Sequence, residues 1–319
     1  MKTWQADFLI FIAAVLWGLS YVFAAEGMVF ASPALFLLIR FGLALLITFF
    51  FFGCMSLKTL KKKTWQRGLF LGVLFGGAYL LQTYAINFTT IPKASFITAL
   101  VLPTVPFVSW FLLKKPITVW NIIGVVLAML GIYFLVNPDL REFTNIQAGD
   151  IIALCSIPFW AFYLNYIDIF TTEMEEDADT SKMLMLQFIG AIPVLLVVTI
   201  VFESGWVFAP LHPDLGKGFV WNAPDLWKFA ICMGYLALLG SFALTFIQTA
   251  AQKYTTPVKA MVIFQFEPII ATVSAILFYY YYLGDAEAEP TISMGFGCVI
   301  ILAAVLISEL GPMLVRRRK

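Results

Sequence analysis

The chain has 319 residues, of which 61% are hydrophobic and only 12% charged, about half the charge of an ordinary soluble domain. So much apolar surface excludes a water-soluble globule. A net charge of +1 speaks for no nucleic-acid partner, the four cysteines all fall inside apolar runs, without metal spacing, and read as small buried residues and not as a disulfide framework, and one histidine, His212, leaves little scope for imidazole or metal chemistry.

Apolar runs of about 20 residues can cross a bilayer as helices, and ten are predicted, together making an all-α membrane protein. The first, 7–25, is long and lacks a small-residue cleavage pattern, so it reads as a retained span and not a signal peptide. It carries Trp17 near its middle and Tyr21 beyond. The second, 33–54, holds Arg40, the lone intramembrane arginine, about 10 Å from one end. On the third, 68–88, Gly68, Gly72 and Gly76 recur every four residues, a smooth face for close packing, and Gln82 follows near the far end. In the fourth, 94–113, Pro103 removes one helical hydrogen bond and frees the Ala99 carbonyl, predicting a kink. The fifth is 118–136.

The sixth run, 150–168, bears Trp160 and Tyr163, and the seventh is 183–202. A long segment, 203–227, follows, with Trp206, Trp221 and Trp227 suited to a membrane interface. The eighth, 228–251, places Gln248 in the opposite half of the membrane from Gln82. The ninth, 257–283, has Glu267 and Pro268 at its centre, and Pro268 frees the Phe264 carbonyl for a second kink. The tenth, 290–310, precedes a basic tail, 313–319.

With the N-terminus placed in the cytoplasm, fifteen Lys and Arg fall on the inner side against four outside. This is the positive-inside pattern, with both termini cytoplasmic in a plasma (inner) membrane. The halves also repeat. "FTTIPKA" from Phe88 returns as "YTTPVKA" from Tyr254, and "LQT" at Leu81–Thr83 as "IQT" at Ile247–Thr249, both at an offset of 166. Asp7 and Trp17 match Asp150 and Trp160 at an offset of 143, so the segment 203–227 reads as an insertion between. Helix capping by Thr with Pro in the first turn would produce a Thr-Thr-Pro start on its own, but it does not explain the paired glutamines and tryptophans. Duplication does. Five spans per half make the second half enter from the opposite side, the inverted repeat common among secondary transporters.

"LWGLSYVFA" in the first span, "RFGLALL" at Arg40–Leu46 and the proline-bearing fourth and ninth spans resemble the EamA family of the drug/metabolite transporter superfamily. The resemblance covers nearly the whole chain as two repeats, 1–138 and 149–312. It implies secondary transport, often export of amino acids or other small metabolites, through a central cavity with alternating access. It leaves the substrate open, because cavity residues vary with cargo.

A small-molecule site between the halves would draw on Trp17, Tyr21, Gln82, Trp160, Tyr163, Gln248 and Glu267. A lone acid in mid-span is costly, by about 3 kcal/mol on insertion scales. Glu267 therefore either binds a substrate amine or carries a proton, or it is fixed by an ion pair or a carboxyl hydrogen bond that holds the ninth span in register. Arg40 reads as a structural, ion-pairing residue and the natural partner for that second role. No cofactor is expected, and without a P-loop ATP does not drive the protein directly. An importer or exchanger of the same fold is the near alternative. A membrane scaffold would not need polar residues at mirrored depths, and an intramembrane lipid enzyme would want interfacial clusters of His, Asp or Arg that are not apparent.

Overall fold

A computed structural model describes residues 3–53, 60–114, 117–136, 146–172, 180–204, 218–220, 225–247, 263–264, 266–284 and 291–316. The described residues are almost wholly helical: α1 (Thr3–Met28), α2 (Pro33–Phe52), α3 (Lys62–Phe88), α4 (Ile91–Ala99), α5 (Val101–Leu113), α6 (Val119–Val136), α7 (Ala148–Thr172), α8 (Thr180–Val198), α9 (Leu226–Gly234), α10 (Phe266–Ala275) and α11 (Ile292–Arg316). Three of them widen into π-helical turns, α8 over Thr199–Glu203, α9 over Tyr235–Ala243 and α10 over Ile276–Tyr282. Sequence periodicity carries no mark of these turns.

Among the described residues, seven helical stretches are long and apolar enough to cross a membrane, including Trp4–Met28, Lys62–Phe88 and Leu226–Ile247; Val119–Gly131 and Ile292–Ser308 are shorter apolar helices. Large apolar side chains point outward along the bundle, with Phe50 87% and Ile292 83% exposed. In water such a coat would drive aggregation; lipid is its natural solvent. The protein is an integral, multi-pass membrane protein.

Small residues set the closest approaches. Any side chain at Gly72 would strike the backbone of α8 at Gln187 and Gly190, while Gly68 faces Leu186 and Gly76 faces Ala191. The predicted smooth face of α3 is thus in use, and α3 and α8 run in the same direction. α6 and α11 lie antiparallel, with Gly124 against Ser308 and Ala304, and Gly131 against Ile301. α7 lies antiparallel to α3, through Phe159 on Gly77 and Gly149 on Ala85. α1 runs beside α10, with Phe11 and Phe266 ring centroids 5.5 Å apart and the Tyr279 hydroxyl donating to Glu26 at 2.9 Å.

The fourth predicted span is broken. α4 ends at Ala99, and Leu100 turns back to Ile97 (N to O, 3.1 Å) before α5 begins. Pro103 and Pro106 lack the N–H groups that Ala99 and Leu102 would need to continue one helix. Thr90 occupies the N-cap position of α4 without a side-chain capping bond; it is Thr89, one residue earlier, that bonds across to α7. The second copy of this motif, Thr255–Lys259, lies outside the described residues, as does Gln248.

Near the same end of α3, a buried acid pins α2. The Glu203 carboxylate accepts the Ala34 and Leu35 backbone N–H groups at 2.8 and 3.1 Å and the Tyr84 hydroxyl at 2.6 Å. Two orphan donors of the α2 first turn are thereby satisfied by an anion, where the helix dipole favours one.

Candidate functional site

The broken fourth span, together with α1, α2, α3, α7 and α10, encloses a cavity of about 140 Å³. Each helix contributes one face at helical spacing: Trp17, Ser20, Tyr21 and Ala24 from α1; Phe75, Tyr79, Gln82, Thr83 and Ile86 from α3; Ser95, Thr98 and Ala99 from α4; Trp160, Tyr163 and Leu164 from α7. Arg40 enters from α2, and Phe264, Glu267 and Pro268 close the wall opposite.

Two hydrogen-bonded arms organise the interior. In one, the Gln82 amide donates to the Tyr21 hydroxyl at 2.6 Å, and that hydroxyl engages the Glu267 carboxyl. In the other, the Trp17 indole N–H donates to the Tyr79 hydroxyl at 3.2 Å, and the Arg40 guanidinium carbon stands 5.1 Å from the Tyr79 ring centroid. Trp160 packs edge to face on Tyr79 and Tyr163, with centroids 5.0 and 5.7 Å apart. Tyr163 is fixed from behind by its hydroxyl, which donates to Gln187 at 2.9 Å. The walls are aromatic and rigid, and the polar groups are few and convergent, the usual build of a small-molecule site.

Arg40 is held differently from the expected ion pair. Its Nε donates to the Ser241 hydroxyl at 2.8 Å and Nη2 to the Gly240 carbonyl at 2.9 Å, both in the π-helical turns after α9. Arg40 and Glu267 line the same cavity without pairing with each other. The ion pair that would have fixed the ninth span is therefore not formed. The Ser241 hydroxyl and Gly240 carbonyl on this wider turn accept two of the guanidinium's five N–H donors without cancelling its charge.

Trp17, Tyr21, Gln82, Trp160, Tyr163 and Glu267 are thus brought together, with Arg40 and Pro268 beside them. Pro103 is not on the wall; its effect is the break that exposes Ala99 to the cavity. Trp17 and Trp160 do not meet, because Tyr79 stands between them. Tyr79, Ser95 and Thr98 were missed by sequence reasoning. Tyr79 lies three residues before Gln82, on the same helical face, a spacing that marks it once Gln82 is placed.

An apolar-jacketed helical bundle around a polar-tipped aromatic cavity is the build of a multi-pass membrane transporter. The EamA-like transporter family model matches residues 4–137 and again 147–310, and the chain belongs to that family. It is 25% identical over 310 residues, 97% of this chain and 87% of the other, to an uncharacterized transporter of Archaeoglobus fulgidus. A solved crystal structure, 15% identical, shares the fold over 100% of both chains with a TM-score of 0.65.

Proposed function

We propose that the protein is a secondary active exporter of small zwitterionic metabolites such as amino acids, working by alternating access around the cavity between two inverted halves. The observation that carries the reading is that two groups of opposite charge, Arg40 and Glu267, line one cavity and, among the described residues, form no ion pair with each other. A buried charge without a counter-ion is costly. A solute with an amine for Glu267 and a carboxylate for Arg40 supplies both counter-ions at once. The aromatic rings of Trp17, Tyr79 and Trp160 then take its apolar part. Glu267 also carries the proton that couples outward solute movement to the proton gradient, binding either the proton or the amine.

The inverted ten-span arrangement is supported by packing that survives exchange of the halves. α1 packs on α10 as α7 packs on α4 and α5, while the pairs α6 with α11 and α4 with α10 map onto themselves. Each half would then be a five-helix unit with its ends on opposite sides of the membrane, and the two together would put both ends of the chain in the cytoplasm, as the basic residues favour.

Purified protein in liposomes, screened with radiolabelled amino acids, nucleosides and sugars under pH gradients of each sign, tests this. Zwitterions should move against their gradient when protons flow the opposite way. Flux of sugars or nucleosides alone, or none of any class, would sink the reading.

A further inference from the structure

Solute binding leaves idle the repeated motif that spans Thr89 and Lys93. In the structure its polar side chains converge on Asp150, the acid that opens α7. Asp150 Oδ1 accepts the Thr89 hydroxyl at 2.6 Å, Oδ2 accepts the Gln147 backbone N–H at 3.0 Å, and Lys93 Nζ stands 3.8 Å from Oδ2. Thr89 lies also 2.7 Å from the Gln147 side-chain carbonyl. The two charged members are buried, Asp150 3% and Lys93 7% exposed, while Thr89 is half-buried and Gln147 is exposed. One carboxylate therefore joins the end of α3, the first turn of α4 and the first turn of α7. Those are three of the helices whose deeper faces line the cavity, Ser95 and Thr98 being about a turn beyond Lys93 and Trp160 about 15 Å beyond Asp150. The backbones close up at the same point, because a side chain at Gly149 would come within 2.6 Å of the Ala85 carbonyl oxygen and the Thr89 nitrogen.

We propose that Asp150, held by Thr89 and Lys93, is the latch that keeps this end of the cavity shut, and that its release exposes the solute on that side. The inference rests on the transport reading above. A permanent seal would be better made of apolar side chains, since a buried ion pair is often no more stable than a hydrophobic replacement. A polar seam has a different property: its groups recover their hydrogen bonds from water when it parts. Closed and open forms are then close in free energy, as a two-state element requires. The latch also joins a helix hairpin of the first half to the first helix of the second, so opening it moves one half against the other.

The test uses the full chain, with Cys54, Cys155, Cys232 and Cys298 replaced and Ser95→Cys added, reconstituted in liposomes and treated on one side with a membrane-impermeant thiol reagent. Labelling from the side of Asp150 should be slow. It should quicken roughly tenfold in Asp150→Asn and in Lys93→Met, the population change expected on losing a charge-assisted hydrogen bond. Thr89→Val, a milder change, should quicken it less and serves where the charge variants fail to fold. Unchanged labelling in folded, membrane-inserted Asp150→Asn and Thr89→Val overturns the latch, even if solute flux is normal. Faster labelling in a protein that moves no solute upholds the latch and removes the transport reading instead.

Discussion

At Glu267 one carboxyl is asked to serve two ligands, and a single-atom change separates them. Glu267→Gln keeps size and hydrogen bonding but cannot carry the proton. The variant should reach the membrane and retain exchange of solute across it, while accumulation driven by a pH gradient is lost; pH-driven uptake at the wild-type level would reduce Glu267 to a structural part. Gln82 acts through Tyr21, since its amide is bonded to that hydroxyl. Gln82→Ala should weaken solute binding by about 1 kcal/mol. Tyr21→Phe should do much the same, and the double variant should add little to either, because both break one arm. Fully additive losses in a binding assay would show two independent contacts. Much of this arm was legible in the sequence, because an isolated polar residue in a lipid-spanning run has few alternatives to facing inward. Tyr79 was not, since one tyrosine among twelve in the chain carries no such mark. The partners of Arg40 were hidden for another reason: Ser241 and Gly240 lie 201 and 200 positions away, on a π-helical turn that no local pattern announces.

The helices pack by two devices of unequal visibility. Glycines at a spacing of four show in any listing of the chain, and Gly68, Gly72 and Gly76 do meet α8. Gly72→Leu should destroy that contact and leave little folded protein in the membrane, whereas Gly42→Ala, with open space around its Cβ position, should be tolerated. The cap that Glu203 places on α2 is invisible in sequence, because carboxylate and helix start are 169 positions apart. Glu203→Ala would leave two backbone donors and the Tyr84 hydroxyl unpaired, a loss of about 3 kcal/mol. It should appear as a lower thermal midpoint in detergent, and an unchanged midpoint would mean that water reaches these groups. Pro103 lies between the two cases. Its position foretold an interruption, but the break lies at Leu100, one residue past the Ala99 carbonyl that Pro103 leaves without a helical donor.

Across the whole molecule, the recurrence of motifs at fixed offsets was the most legible feature, and an internal duplication would account for it. What it could not convey is how unequal the copies are in use. Trp17 is tied to Tyr79 by its indole N–H, while Trp160 is held only by ring packing, so the two sides of the cavity present different chemistry to a solute. Orientation is checked by reporters: one active only in the cytoplasm should work near Lys62 and after Lys319, and fail within 203–227. Activity of the insertion at 203–227 would invert the proposed topology. The central claim is that solute passes through the cavity between α1, α3, α4, α7 and α10. The most direct measurement is protection of a thiol placed on its wall, Thr98→Cys in the cysteine-replaced chain that still transports. A transported zwitterion should slow the labelling of that thiol, with half-maximal effect near the concentration that half-saturates flux. Labelling indifferent to a solute that the same protein still transports would place the solute's path elsewhere.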